Sequence, residues 1–218
     1  MPAPVPALVL LLLLAACAAP PLPSSAMPVV GIQTPGGHEL GVSTEDGVLF
    51  LARTAKAGPA KVLYFLGPSP LIEAGRILGV GGSIHRVELE VTIPSVPISF
   101  DPVQKGEELL LLALSNEEPW SAWVRVADSP FAEGTVLEGT GLGLRGEHVG
   151  AGVFRSTSAG LSMVGLIKGV ARFENGPDYL LMAGLPELRL AFVQPETAVP
   201  RQEVRYRDDG LRVYRVRR

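Results

Sequence analysis

The chain of 218 residues holds one cysteine, Cys17, so no intrachain disulfide can form and stability has to come from a buried core, for which this length is sufficient. Histidine is scarce too. His38, His85 and His148 lie far apart, with no second ligand at short spacing and no spare thiol, so the pattern of a metal site is missing and no metal or other cofactor is expected. There is no excess of one charge: the formal net charge of −3 gives the molecule no electrostatic preference for nucleic acid. Lysine is rare, four residues against fifteen arginines, which together with few Asn and Gln and abundant Pro suits a high-GC or heat-adapted source. Long apolar runs are lacking as well. The longest, Val5 to Ala16, covers about 12 residues where a membrane-spanning helix needs ~20.

What that run does offer is the size of a secretory signal's central region, ending in small residues. Leu14-Ala15-Ala16-Cys17 resembles the lipobox of bacterial lipoproteins. The resemblance implies that residues 1–16 are removed, that Cys17 is lipidated on sulfur and becomes the new N-terminus, and that the chain is held extracytoplasmically at the cell envelope. Ala at position 18, rather than Asp, implies the outer membrane if the cell has one. Two or three acyl chains, at ~0.8 kcal/mol per buried CH₂, anchor stably. Residues 17–28, rich in Pro, Ser and Ala and free of charge, read as an extended tether.

Beyond the tether the periodicity is that of strands. In "RVELEVTI", Arg86 to Ile93, Val87, Leu89, Val91 and Ile93 share one face and Glu88, Glu90 and Thr92 the other. Shorter β-type runs begin at Val48, Lys61, Leu109, Trp120, Gly152, Met163, Tyr179 and Leu188 ("LRLAFV"), separated by Gly and Pro turn signals. The fold class is therefore all-β and antiparallel, over residues 29–200, with little helix. "LIEAGRIL", Leu71 to Leu78, is the best short helical candidate, and Gly75 limits its length. Residues 201–218 form a separate basic segment of charge about +4 against about −7 for everything before it. Asp209-Gly210 between two alternating runs predicts a hairpin there. Its arginines suit either anionic lipid or acidic residues on the body.

"GLGLRG", Gly141 to Gly146, fits the spacing of a dinucleotide fingerprint, but Gly and β-branched residues follow where the helix should run, so it reads as a Gly-rich loop between strands. Nucleophilic catalysis is hinted at in one place. In "STSAGLSMVGLIKGV", Ser158-Ala159-Gly160 follows one strand and precedes another. This outline resembles the trypsin-like serine proteases, above all the periplasmic protease-chaperones, where a Ser-Gly-Gly-Pro turn precedes a hairpin. Read backwards, Gly58 to Leu78 is similar to the hairpin and helical turn that carry the catalytic His, Phe100 to Leu114 to the Asp and Leu-rich strand, and Phe131 to Phe154 to the strand, Gly loop and strand that open the second barrel.

The resemblance implies two six-stranded barrels, about 29–118 and 119–200, with a cleft between them. It also implies a defective site. Arg76 stands for the His and cannot act as a general base, Glu107 or Glu108 stands for the Asp, and Ala159 and Leu161 replace a Gly and the Pro around Ser158. His85, Asp101 and Ser158 keep the family's chain order, but 16 residues between His and Asp are too few for two strands and a loop. Three readings follow: a non-catalytic lipid-anchored domain that binds an envelope protein, peptide or wall component; an active envelope serine peptidase using Ser158; or a structural β-sandwich that shares only turns with the proteases.

Overall fold

The computed structural model describes residues 27–52, 57–65, 69–78, 82–115, 118–131, 134–143, 146–173, 176–192 and 213–215. The signal segment 1–16, Cys17, most of the tether and the Asp209-Gly210 turn lie outside them.

Six antiparallel strands close the first barrel: β1 (Val29–Thr34), β2 (Gly37–Thr44), β3 (Gly47–Leu51), β4 (Gly58–Phe65), β5 (Pro70–Leu78) and β6 (Ile84–Leu89), in the order β1-β2-β3-β6-β5-β4. The second sheet holds β7 (Glu108–Ser115), β8 (Glu118–Arg125), β9 (Thr135–Glu138), β10 (Gly152–Thr157), β11 (Gly160–Arg172) and β12 (Tyr179–Ala183), in the order β8-β7-β10-β11-β12-β9. A bridge between Val126 and Leu137 and the Ala127 N–H donated to the Val136 carbonyl at 3.0 Å bring β8 and β9 together. The second sheet thus curls through the same cyclic strand order as the first. Closure of this kind removes the β-sandwich alternative, because a sandwich keeps two separate sheets face to face. The chain passes from one sheet to the other between Leu89 and Glu108, earlier than the 118/119 division expected, since β7 pairs with β8 and β10.

Burial explains the sequence runs. Val30, Ile32, Val48, Phe50, Val62, Tyr64, Ile77 and Val87 fill the first barrel. Their neighbours Val29, Leu49, Leu51 and Ile84 point the other way, into a larger cluster shared with Leu109 to Leu114 of β7 and with the second sheet. β3 and β7 are therefore buried on both faces, and their runs "VLFL" and "LLLLAL" do not alternate. The strand expected from Arg86 to Ile93 is real but ends at Leu89, and Val91 is exposed.

Two local expectations are corrected. "LIEAGRIL" is not helical: it lies in β5, paired along one edge with β4 and from Gly75 with β6, which satisfies backbone groups that an isolated two-turn helix would leave open. "LRLAFV" does not start a strand: Leu185–Leu190 is helix α1, with Pro186 in its first turn and Glu187 accepting from the Gly184 N–H at 3.2 Å and from Lys168 Nζ at 2.9 Å. Of the basic C-terminal segment, β13 (Val213–Arg215) is described. It pairs in parallel with Val170–Arg172 of β11.

Candidate functional site at the seam between the barrels

Ser158 is the exposed second residue of the turn joining β10 to β11. The Thr157 hydroxyl donates to the Gly160 carbonyl at 3.2 Å and accepts from the Ala159 N–H at 3.2 Å, and Gly160 has φ 119°. The same Thr-x-x-Gly arrangement recurs twice. Thr34 donates to the Gly37 carbonyl at 3.1 Å and Thr44 to that of Gly47 at 2.6 Å, each glycine again at positive φ. Three hairpins share one turn chemistry, and Ser158 is the first of the two variable residues in the third copy.

The other predicted site residues are dispersed. Arg76 is exposed on β5, opposite Pro59 on one side and Glu88 on the other, in the first barrel. Glu108 begins β7 and accepts from Arg125 Nη2 at 3.0 Å. Glu107 is held more tightly. Arg155 of β10 reaches its Oε1 through Nε at 2.6 Å and its Oε2 through Nη2 at 3.3 Å, and also donates to Ser99 Oγ at 2.8 Å and the Pro102 carbonyl at 3.3 Å. The hydrogen bond from Arg155 keeps the Glu107 carboxyl below the ordinary carboxylate range, and Glu107 in turn raises the Arg155 guanidinium. β7 and β10 bring Glu107 and Glu108 to the same end of the second sheet as Ser158, but as partners of guanidinium groups.

The His85, Asp101 and Ser158 set does not converge. His85 is buried on β6, its ring 5.9 Å from that of Phe50 in the first barrel. Asp101 belongs to the segment that Arg155 of β10 holds through Ser99 and Pro102, so it lies against the second sheet and not beside His85 in the first barrel. His38 is exposed at the start of β2.

The turn that precedes the β10–β11 hairpin is 146–151, "GEHVGA". It begins as the 3₁₀ turn Gly146–His148, and its Gly150 N–H donates to the Ile167 carbonyl at 2.8 Å. The turn sits at the seam: a Cβ on Gly150, whose φ is 93°, would lie 2.7 Å from the Leu40 carbonyl of β2. His148 is buried, with its ring centroid 4.8 Å from that of Trp120 on β8. This turn contains no hydroxyl or thiol. Just beyond Ile167 on the same edge of β11, β13 fills the backbone positions of Val170 to Arg172, the opposite edge being taken by β12. Of the Gly141–Gly146 stretch, the described residues 141–143 lie between β9 and β10, and Gly146 opens the 3₁₀ turn.

Sequence reading did not find Arg155, whose acceptors lie 48 to 56 residues away, and saw His148 only as an isolated histidine. The triple Thr-x-x-Gly pattern was the available signal that residue 158 belongs to a hairpin turn.

No protein-family model and no curated protein sequence matches the chain. Solved structures do. The inactive form of a serine-to-alanine variant of Rv3671c from M. tuberculosis H37Rv superposes with TM-score 0.53 at 14% identity, covering 78% of this chain and 89% of that one. The serine protease of a human pathogenic astrovirus gives TM-score 0.52 at 11% identity over 73% and 91%. The serine endoprotease of Yersinia pestis gives 0.53 at 14% over 76% and 61%. The chain has the trypsin-like fold. Within that fold Ser158 lies at the turn joining β10 to β11, and 146–151 is the turn that leads into β10.

Proposed function

We propose that this chain is a non-catalytic trypsin-like domain, tied to the cell envelope by acyl chains on Cys17, that binds an envelope protein, peptide or wall component. The observation that carries the reading is the surroundings of Ser158, an exposed turn residue, while Arg76, which stands for the histidine, lies on β5 of the first barrel and is no general base. Supporting it, Glu107 and Glu108 are engaged by arginines. A fluorophosphonate probe on the purified acylated chain tests it. No labelling is expected, and labelling at Ser158 overturns it. The competing reading, an active envelope serine peptidase, is favoured by the protease names of the structural neighbours. It requires that Ser158→Ala abolish hydrolysis of unfolded casein.

A further inference from the structure

The first barrel carries an apolar projection that the proposed function does not use. From Tyr64 to Ile72 the sequence holds no charged side chain. In the described part of this stretch, Leu71 is 44% exposed and Ile72 58% exposed, and Ser69 and Pro70 are exposed as well. β5 pairs with β6 only from Gly75 onward, so Pro70 to Ala74, backed by β4, project beyond the barrel wall. Ile72 lies opposite Leu63, and Leu63 opposite Gly31, so its outer neighbours are apolar or lack a side chain.

The position of this projection relative to the chain start gives it an occupant. β1 and β4 pair with Gly31 opposite Leu63 and Gln33 opposite Lys61, a register that places Val29 level with Phe65. The chain therefore enters the barrel at the end from which the β4–β5 projection extends. Nine residues lie between Cys17 and Met27, a reach of at most about 35 Å even when extended. A short tether keeps this end near whatever holds Cys17 and raises the effective concentration of Leu71 and Ile72 at that surface.

We infer that the Pro70–Ile72 tip contacts the same bilayer that holds the acyl chains, as a second, interfacial point of attachment that fixes the orientation of the barrels. The inference rests on the acyl-anchor reading. The contact is apolar rather than electrostatic, since Glu45 and Asp46 in the β2–β3 turn, also at this end, disfavour anionic head groups.

The test uses the full acylated chain with Ser69→Cys in phosphatidylcholine vesicles containing nitroxide-labelled lipid. An acylated Cys17 leaves position 69 as the single free thiol for a polarity-sensitive fluorophore. The matching control is Pro35→Cys, in the β1–β2 turn at the opposite end. The expected result is blue-shifted, nitroxide-quenched emission at position 69 and water-like emission at position 35. Adding Leu71→Ser and Ile72→Ser returns position 69 to water while the chain still sediments with the vesicles. Water-like emission at position 69 in a vesicle-bound acylated chain overturns the tip contact alone. So does quenching that persists only in a dimer, which would assign the open β5 edge to a second copy. An unmodified Cys17 thiol, seen by mass spectrometry or as a second labelled site, overturns the anchor reading and this inference with it.

Discussion

Arg155 on β10 closes on Glu107 at 2.6 Å, and both side chains are about four-fifths buried (21% and 20% exposed). This pair fastens the segment between the barrels to the second sheet, because the same guanidinium also holds Ser99 and Pro102. Replacing Arg155 with Met should cost about 1–3 kcal/mol in a denaturant titration, the range for charge-assisted hydrogen bonds left without a partner. Glu107→Gln should cost less, since an amide still accepts.

The same pair predicts a pH dependence. The Glu107 carboxyl is held below its ordinary value by the Arg155 hydrogen bond. Its contribution is present above the unfolded value, near 4.3, and is lost as pH falls through the lower folded value. Acid titration of stability should show a loss below about pH 4 that is smaller in Glu107→Gln. Equal acid sensitivity in the two proteins would contradict the assignment.

Ser158→Ala should leave stability unchanged within about 0.5 kcal/mol, as for an exposed turn position. Thr157→Val, which removes the hydroxyl that closes the turn, should cost about 0.5–1.5 kcal/mol in the same melts. The reverse ranking would mean that the serine, not the threonine, organises this tip.

Gly150→Ala should lower stability by about 1–3 kcal/mol, because its left-handed backbone and the Leu40 carbonyl 2.7 Å from an added Cβ both oppose a side chain. Thermal unfolding by circular dichroism reads this directly.

His148→Ala should remove a ring contact of about 0.5–1.5 kcal/mol and change the fluorescence of Trp120, visible in a Trp123→Phe background. An unaltered spectrum would place His148 elsewhere.

The all-β class was legible because Gly and Pro divide the chain into short apolar runs, and Val87, Leu89 and their polar neighbours alternate. The runs around Leu49 and Leu111 were legible as strands but not as the seam, since burial on both faces comes from a second barrel that the pattern of one segment cannot show. Two segments misled in opposite directions. Leu71–Leu78 has an ambiguous period that strand pairing decides, and the run from Leu188 has a strand-like composition but its start belongs to a helix that Pro186 and the Glu187 contacts begin. At the site, the Ser-Ala-Gly triplet was legible as a turn, and the Thr157 hydroxyl closes it as Thr34 and Thr44 close theirs. The pairing of Arg155 with Glu107 links residues 48 apart and leaves no local trace.

β13 lies along the Val170–Arg172 edge of β11, so an incoming extended segment at that edge faces a rival belonging to the same polypeptide. Dilution does not weaken such a rival, because its local concentration is fixed by chain connectivity. Any further strand could join β11 there only by displacing Val213 to Arg215 from Val170 to Arg172.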